Sequence, residues 1–122
     1  GASVALTDID ADGLERSVDA IRAAGGHAEG LVCDVGDRAA LRACIDDVAA
    51  RHGRLDIAVA NAGVTAGPGY RTEAGQINAV DDDQWDRVLS VNLTGVFATI
   101  QAAAKHMKAQ RSGRIVAVAH VP

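Results

Sequence analysis

The sequence predicts an α/β domain built on a doubly wound parallel sheet, and three observations carry that expectation. Four short apolar runs alternate with three stretches of helical periodicity over all 122 residues. Successive runs are separated by enough chain for a crossover helix, the connection that parallel strands require. The last run, "IVAV" (115–118), is apolar at four successive positions, the pattern of a strand buried on both faces.

Each element follows from its own residues. "ASVALTD" (2–8) is a short apolar run ended by a carboxylate. In "DADGLERSVDAIRAAGG" (10–26), Leu14, Val18 and Ile21 fall at helical spacing, and Gly25-Gly26 is the stop signal. "HAEGLVCDV" (27–35) is the second strand. "DRAALRACIDDVAARHG" (37–53) places Leu41, Ile45 and Val48 on one helical face, with Asp37 as the cap whose side chain accepts from the first free amides. "RLDIAVANAG" (54–63) is a third strand ending in Asn and Gly. The loop "VTAGPGYRTEAGQINAVDDD" (64–83) is Gly-rich, contains Pro68 and Tyr70, and leads into one long helix over 82–113. "RIVAVA" (114–119) closes the series as the fourth strand.

Composition bounds the function. The chain has the size of one domain, and 2% aromatic residues against 48% hydrophobic ones make its core aliphatic. A net charge of −4 with only two lysines, Lys105 and Lys108, provides no basic face for nucleic acid. No segment approaches the roughly 20 apolar residues of a membrane span, and no charged-then-apolar leader precedes the first strand, so a cytoplasmic protein is expected. Cys33 and Cys44 are too few and too far apart for a zinc site or a disulfide framework, so they are expected as reduced core residues and no metal is expected.

The architecture says where to look for chemistry. In open parallel sheets ligands sit outside the carboxyl ends of the strands. Those ends are Asp8-Ile9-Asp10, Asp34-Val35, Asn61-Ala62-Gly63 and Ala119-His120. A carboxylate at the end of the first strand can accept two hydrogen bonds from a ribose diol and would repel a 2′-phosphate. The first basic residue after it is Arg16, so a ribose reader here favours NAD over NADP. Equally, Asp8 or Asp10 could simply cap the next helix. Asp34-Val35 sets an acceptor beside a backbone amide, which suits an adenine edge or a plain turn. Asn61-Ala62-Gly63 offers small residues for close approach of a flat ligand, or an ordinary Asn-x-Gly turn.

The order of these segments is more specific than any one of them. "LTDID", "CDV", "ANAG", "VLSVNLTGVF" and "GRIVAVA" together resemble the short-chain dehydrogenase/reductase family from its second strand to its fifth, over essentially the whole chain. The resemblance implies an incomplete Rossmann-like, dinucleotide-binding domain over 1–122. It implies NAD as cofactor, with Asp8 and Ile9 at the adenine ribose, Asp34 and Val35 at adenine, and Asn61, Ala62 and Gly63 along the cofactor beside the sheet. It also implies a catalytic part for Asn92, bending the long helix locally and holding a water in the proton relay. A side-chain amide among Val88, Leu89, Val96 and Phe97 is costly unless something hydrogen-bonds it, whether a relay or a core partner. The implied activity is hydride transfer between nicotinamide and a small alcohol or ketone.

The departures are as informative. The family's Gly-rich turn and its Tyr-x-x-x-Lys pair do not occur in these 122 residues: Tyr70 is followed four positions on by Ala74. His120 falls where the family carries a Ser, and is read as incidental; Ala60 replaces the first Asn of the usual Asn-Asn-Ala-Gly. In the strand order 3-2-1-4-5-6 the first strand is central, so strands two to five alone would form two pairs with open inner edges and uncovered apolar faces. The parent chain is therefore expected to continue at both ends, and the 122 residues alone are expected not to turn over substrate. The long loop would border the nicotinamide end or a subunit contact, or be a solvated insertion. The helix over 84–110 is apolar on more than one face, through Val88, Val91, Leu93, Val96, Ile100 and Met107, which suits a dimer or tetramer interface. Two other readings stay open: a nucleotide-binding fragment without activity, and a receiver-like α/β domain with an acidic pocket of Asp8, Asp10 and Asp34, although no Lys ends the last strand.

Overall fold

The computed structural model describes residues 1–69 and 71–119, and the expected alternation holds along them. β1 (Ser3–Asp8) leads to α1 (Ala11–Ala23), β2 (His27–Val32), α2 (Arg38–His52) and β3 (Ile57–Ala60). A 3-10 turn (Glu73–Gly75) punctuates the long loop; α3 (Asp82–Leu89), a π-helical segment (Ser90–Gly95), α4 (Val96–Gln110) and β4 (Arg114–Ala117) follow. His120 and Tyr70 lie outside the described residues.

All strand pairing is parallel, and it comes as two separate pairs. Ser3 to Asp8 of β1 lie opposite His27 to Val32 of β2, while Ile57 to Ala60 of β3 lie opposite Arg114 to Ala117 of β4. Each ladder runs one step further, the Cys33 amide donating to the Asp8 carbonyl at 3.0 Å and the Val118 amide to the Ala60 carbonyl at 2.9 Å. β1 and β3 do not pair with each other, so the gap expected from the strand order is present. One expectation is corrected: "IVAV" is not buried on both faces. Val116 and Val118 are each 48% exposed, because α4 packs on this two-stranded sheet and no second layer covers it among the described residues.

The helices explain where the core sits. α1 lays Leu14 and Val18 on β1 and β2, and Gly30 in β2 permits the close approach, since a Cβ there would stand 2.9 Å from Leu14 Cγ. Asp37 caps α2 as expected, its Oδ1 accepting from the Ala39 and Ala40 amides at 3.0 Å. α2 turns its apolar face to α4: Cys33, Leu41 and Ala98 are buried together, with Val35, Cys44 and Ile45 packed against them. No helix among the described residues is long and apolar enough to cross a membrane.

The helix expected over 82–113 is a rod in three parts. Asp81 and Gln84 form a reciprocal capping box at its start, and Arg111 ends it in the left-handed region at φ 57°. In between, Ser90–Gly95 widens to a π-turn, a device that often marks functional positions.

Candidate functional site

At the end of β1, Asp8 Oδ1 accepts from the Asp10 amide at 2.9 Å. Asp10 occupies the N-cap position of α1, but its side chain makes no capping hydrogen bond. The exposed Asp8 carboxylate has no other hydrogen-bond partner among the described residues, and Ile9 beside it is 60% exposed. Arg16, the nearest cation along the chain, lies 4.0 Å from Asp10. A free carboxylate acceptor thus stands at the strand end without a cation to neutralise it.

At the end of β2, Asp34 is far more engaged. Its Oδ1 accepts from the Gly36 amide at 2.8 Å, and Arg87 Nη1 donates to Oδ1 at 3.0 Å and to Oδ2 at 2.8 Å. The Arg87 guanidinium first, and the Gly36 amide second, hold the Asp34 carboxyl below the usual carboxylate range. Arg87 carries no local signal of this role, because 53 residues separate it from Asp34. Two glycines let the rod reach this turn. A Cβ on Gly36 would lie 2.6 Å from Arg87 Nη1 and 3.0 Å from Ser90 Oγ, and one on Gly95 would lie 2.9 Å from the Val35 carbonyl oxygen.

At the end of β3, Asn61, Ala62 and Gly63 are exposed. Val64, the next residue, is clasped by Asn92: the Val64 amide donates to Asn92 Oδ1 at 2.8 Å, and Asn92 Nδ2 donates to the Val64 carbonyl at 2.8 Å. Asn92 is exposed, not sunk in an apolar stripe, so the expected desolvation cost does not arise there. It sits in the middle of the π-turn, which is the local distortion that the resemblance implies at this position.

These contacts place the three strand ends on one rim. Arg87 reaches the end of β2 and Asn92 the residues after β3, five positions apart on one rod, while the β1–β2 ladder aligns Asp8 with Val32, two residues before Asp34. Beyond them the long loop folds over α3 around an open cavity of about 520 Å³, whose walls include Ala66, Ile77, Val80, Trp85 and Val88. Among the described residues no group of three or more His, Cys, Asp or Glu side chains could hold a metal ion, so Asp8, Asp10 and Asp34 do not form the acidic pocket of a receiver domain.

Parallel β-α units with acceptors gathered on one carboxyl rim define the Rossmann class of α/β proteins. Within that class, the profile described as short chain dehydrogenase matches residues 1–121, and the chain belongs to that family. It is 38% identical over 122 residues to 2,3-dihydro-2,3-dihydroxybenzoate dehydrogenase of Bacillus subtilis, a match covering 97% of this chain and 42% of that protein. Among solved structures, a metagenomic short-chain oxidoreductase in complex with NADP superposes with a TM-score of 0.88 at 34% identity, over 100% of this chain and 52% of its own. NAD+-bound xylitol dehydrogenase does so at 0.82 and 31%, over 96% and 43%. The chain therefore spans about half the length of the relatives it matches.

Proposed function

We propose that this chain forms the cofactor-binding part of an NAD-dependent oxidoreductase acting on a small alcohol or ketone. The observation that carries the reading is Asp8: an exposed carboxylate at a strand end, free of partners beyond the Asp10 amide, with Arg16 drawn to Asp10 instead. Such a group accepts from both hydroxyls of a ribose and repels a 2′-phosphate. Asp8 and the adjoining Ile9 are assigned to the adenine ribose, Asp34 and Val35 to adenine, and Asn61, Ala62 and Gly63 to the stretch running toward the nicotinamide. When bound, the nicotinamide supplies or accepts the hydride. Asn92 keeps one N–H and one lone pair beyond its clasp on Val64, so it can hold the loop and still bind a water that carries the substrate proton. Residues 1–122 contain no Tyr-x-x-x-Lys pair, and by themselves they are assigned binding rather than turnover.

Comparing NAD with NADP in the full-length protein tests this. Asp8→Ala is expected to raise the KM for NAD about tenfold or more, the size of a lost charged hydrogen-bond pair, and to narrow the preference against NADP. A wild-type protein that prefers NADP would overturn the assignment.

Self-association through the 84–110 helix is part of the proposal. Leu93, Phe97 and Ile100 follow one another at helical spacing and remain 64%, 54% and 38% exposed, a second apolar face that a copy of the chain would cover. Phe97→Glu should shift the light-scattering mass toward the monomer. A cytoplasmic location is assigned on the free Cys33 and Cys44 and the acidic composition.

A further inference from the structure

The turn after β2 is held from outside, and Arg87, the residue that holds it, belongs to no motif of the sequence. With Arg87 and the Gly36 amide donating to Asp34 Oδ1, and Arg87 alone to Oδ2, one acceptor site remains on Oδ2. The neighbouring Val35 amide has no hydrogen-bond partner among the described residues. Acceptor and donor on adjacent residues form the complement of an adenine edge, which offers an amino donor beside a ring-nitrogen acceptor.

Resting on the cofactor assignment above, we propose that Arg87 is a positioning residue for the adenine end of the cofactor, fixing the Asp34 carboxylate so that Oδ2 and the Val35 amide present a preset pair. A free Asp side chain would rotate among rotamers, and a bound adenine would have to order it. The two-point grip of the guanidinium removes that freedom in advance, the general route by which preorganisation raises affinity. Ser90, within reach of the same turn, and Gly95, against Val35, keep the rod seated while Arg87 reaches across. A purely structural tether is the competing account. Both side chains of the pair are 41% exposed, and pairs so exposed contribute little to stability, so a tether would leave a small trace in unfolding and none in binding.

The test uses the full-length protein, with ADP-ribose as the binding probe and steady-state kinetics with NAD. Arg87→Met should raise the Kd for ADP-ribose and the KM for NAD about tenfold while leaving kcat within about twofold, because the residue acts on binding alone. Arg87→Lys should recover only part of the loss, since its ammonium ends one bond shorter than Nη1 and lacks the rigid planar group that holds Nη1 against both carboxylate oxygens. In the double variant Arg87→Met/Asp34→Asn, the effect should be no larger than that of the greater single change. ADP-ribose binding in Arg87→Met equal to wild type would overturn the inference, as would additive losses in the double variant, or a fall of kcat in step with the melting temperature. Failure of the wild-type protein to bind ADP-ribose or NAD would instead remove the cofactor assignment beneath it.

Discussion

At Gly36 and Gly95 a single methyl group decides how the rod meets the β2–α2 turn, and the two positions predict unequal costs. A Cβ on Gly95 would meet backbone on both sides, the Val35 carbonyl at 2.9 Å and the Ser90 carbonyl at 3.3 Å, so the rod itself would have to shift. Gly95→Ala is expected to lose about 1–3 kcal/mol in urea unfolding, the usual cost of forcing atoms into a filled site. A Cβ on Gly36 would meet the end of the Arg87 side chain, which can swing away. Gly36→Ala should cost less than about 1 kcal/mol, the upper range for an exposed pair, and appear as weaker cofactor binding. Equal costs at the two positions would contradict this packing. Cys33 makes a further prediction at the same scale. Burial first, and the neighbouring Cys44 second, push its thiol up to about 11, so its thiolate is scarce at neutral pH. Iodoacetamide at pH 7.5 should label Cys33 slowly in the native protein and rapidly in urea; fast native labelling would place it at the surface.

Among the elements, α2 is the one that adds two clusters of charge at its margins to its apolar packing. Glu29 of β2 accepts from His52 at 2.8 Å and also pairs with Arg51, while Asp46 of α2 meets His106 at 2.5 Å and Lys105 at 3.4 Å on α4. The His52 hydrogen bond, then that of Arg51, holds Glu29 below its ordinary range, and the His106 hydrogen bond leads the same effect at Asp46. A carboxylate depressed in the folded state contributes stability above its unfolded pKa, near 4, and loses it as pH falls through the folded value. Hydrogen exchange in α2 should therefore accelerate as pH drops below about 4, after correction for intrinsic rates. Glu29→Gln/Asp46→Asn should flatten that dependence, and an unchanged slope would remove these pairs as its cause. The elements themselves were legible from the sequence, because strand and helix periods and the Asp37 cap are local signals. The π-turn was legible only through the family resemblance, which implies a local bend at Asn92; helical periodicity alone runs straight through "SVNLTG", and the contacts with Val35 and Val64 give the distortion its form. The site was legible in the same partial way. Asp8 could be read from its place at a strand end, whereas the Arg87–Asp34 pair depends on how two distant elements dock. The two-faced burial expected for Val116 and Val118 failed for a related reason: burial belongs to the layers around a strand, not to its residues.

For the whole molecule the decisive quantity is surface. The chain exposes 8237 Å², whereas a compact monomer of 12.5 kDa should expose roughly 6,200 Å². The difference, on the order of 2,000 Å², is the size of an obligate interface. Part of it is identifiable: Val4 and Val32 on the first sheet, Ile57, Val59, Val116 and Val118 on the second, all more than a third exposed. Each sheet has only two strands, an arrangement marginal by itself in water, and its outer ladder groups invite pairing with other chains. Residues 1–122 prepared alone should consequently bind an apolar dye such as ANS, unfold with little cooperativity and associate as concentration rises. The full-length protein should neither bind the dye nor lose cooperativity if further layers cover the same valines, and its association should stop at the oligomer formed through the 84–110 helix. Light scattering, dye fluorescence and urea titration of the two preparations decide the matter. A monomeric, dye-silent 122-residue chain with a sharp transition would mean that β1 and β3 close up in solution, and the two-sheet arrangement would then have to be abandoned.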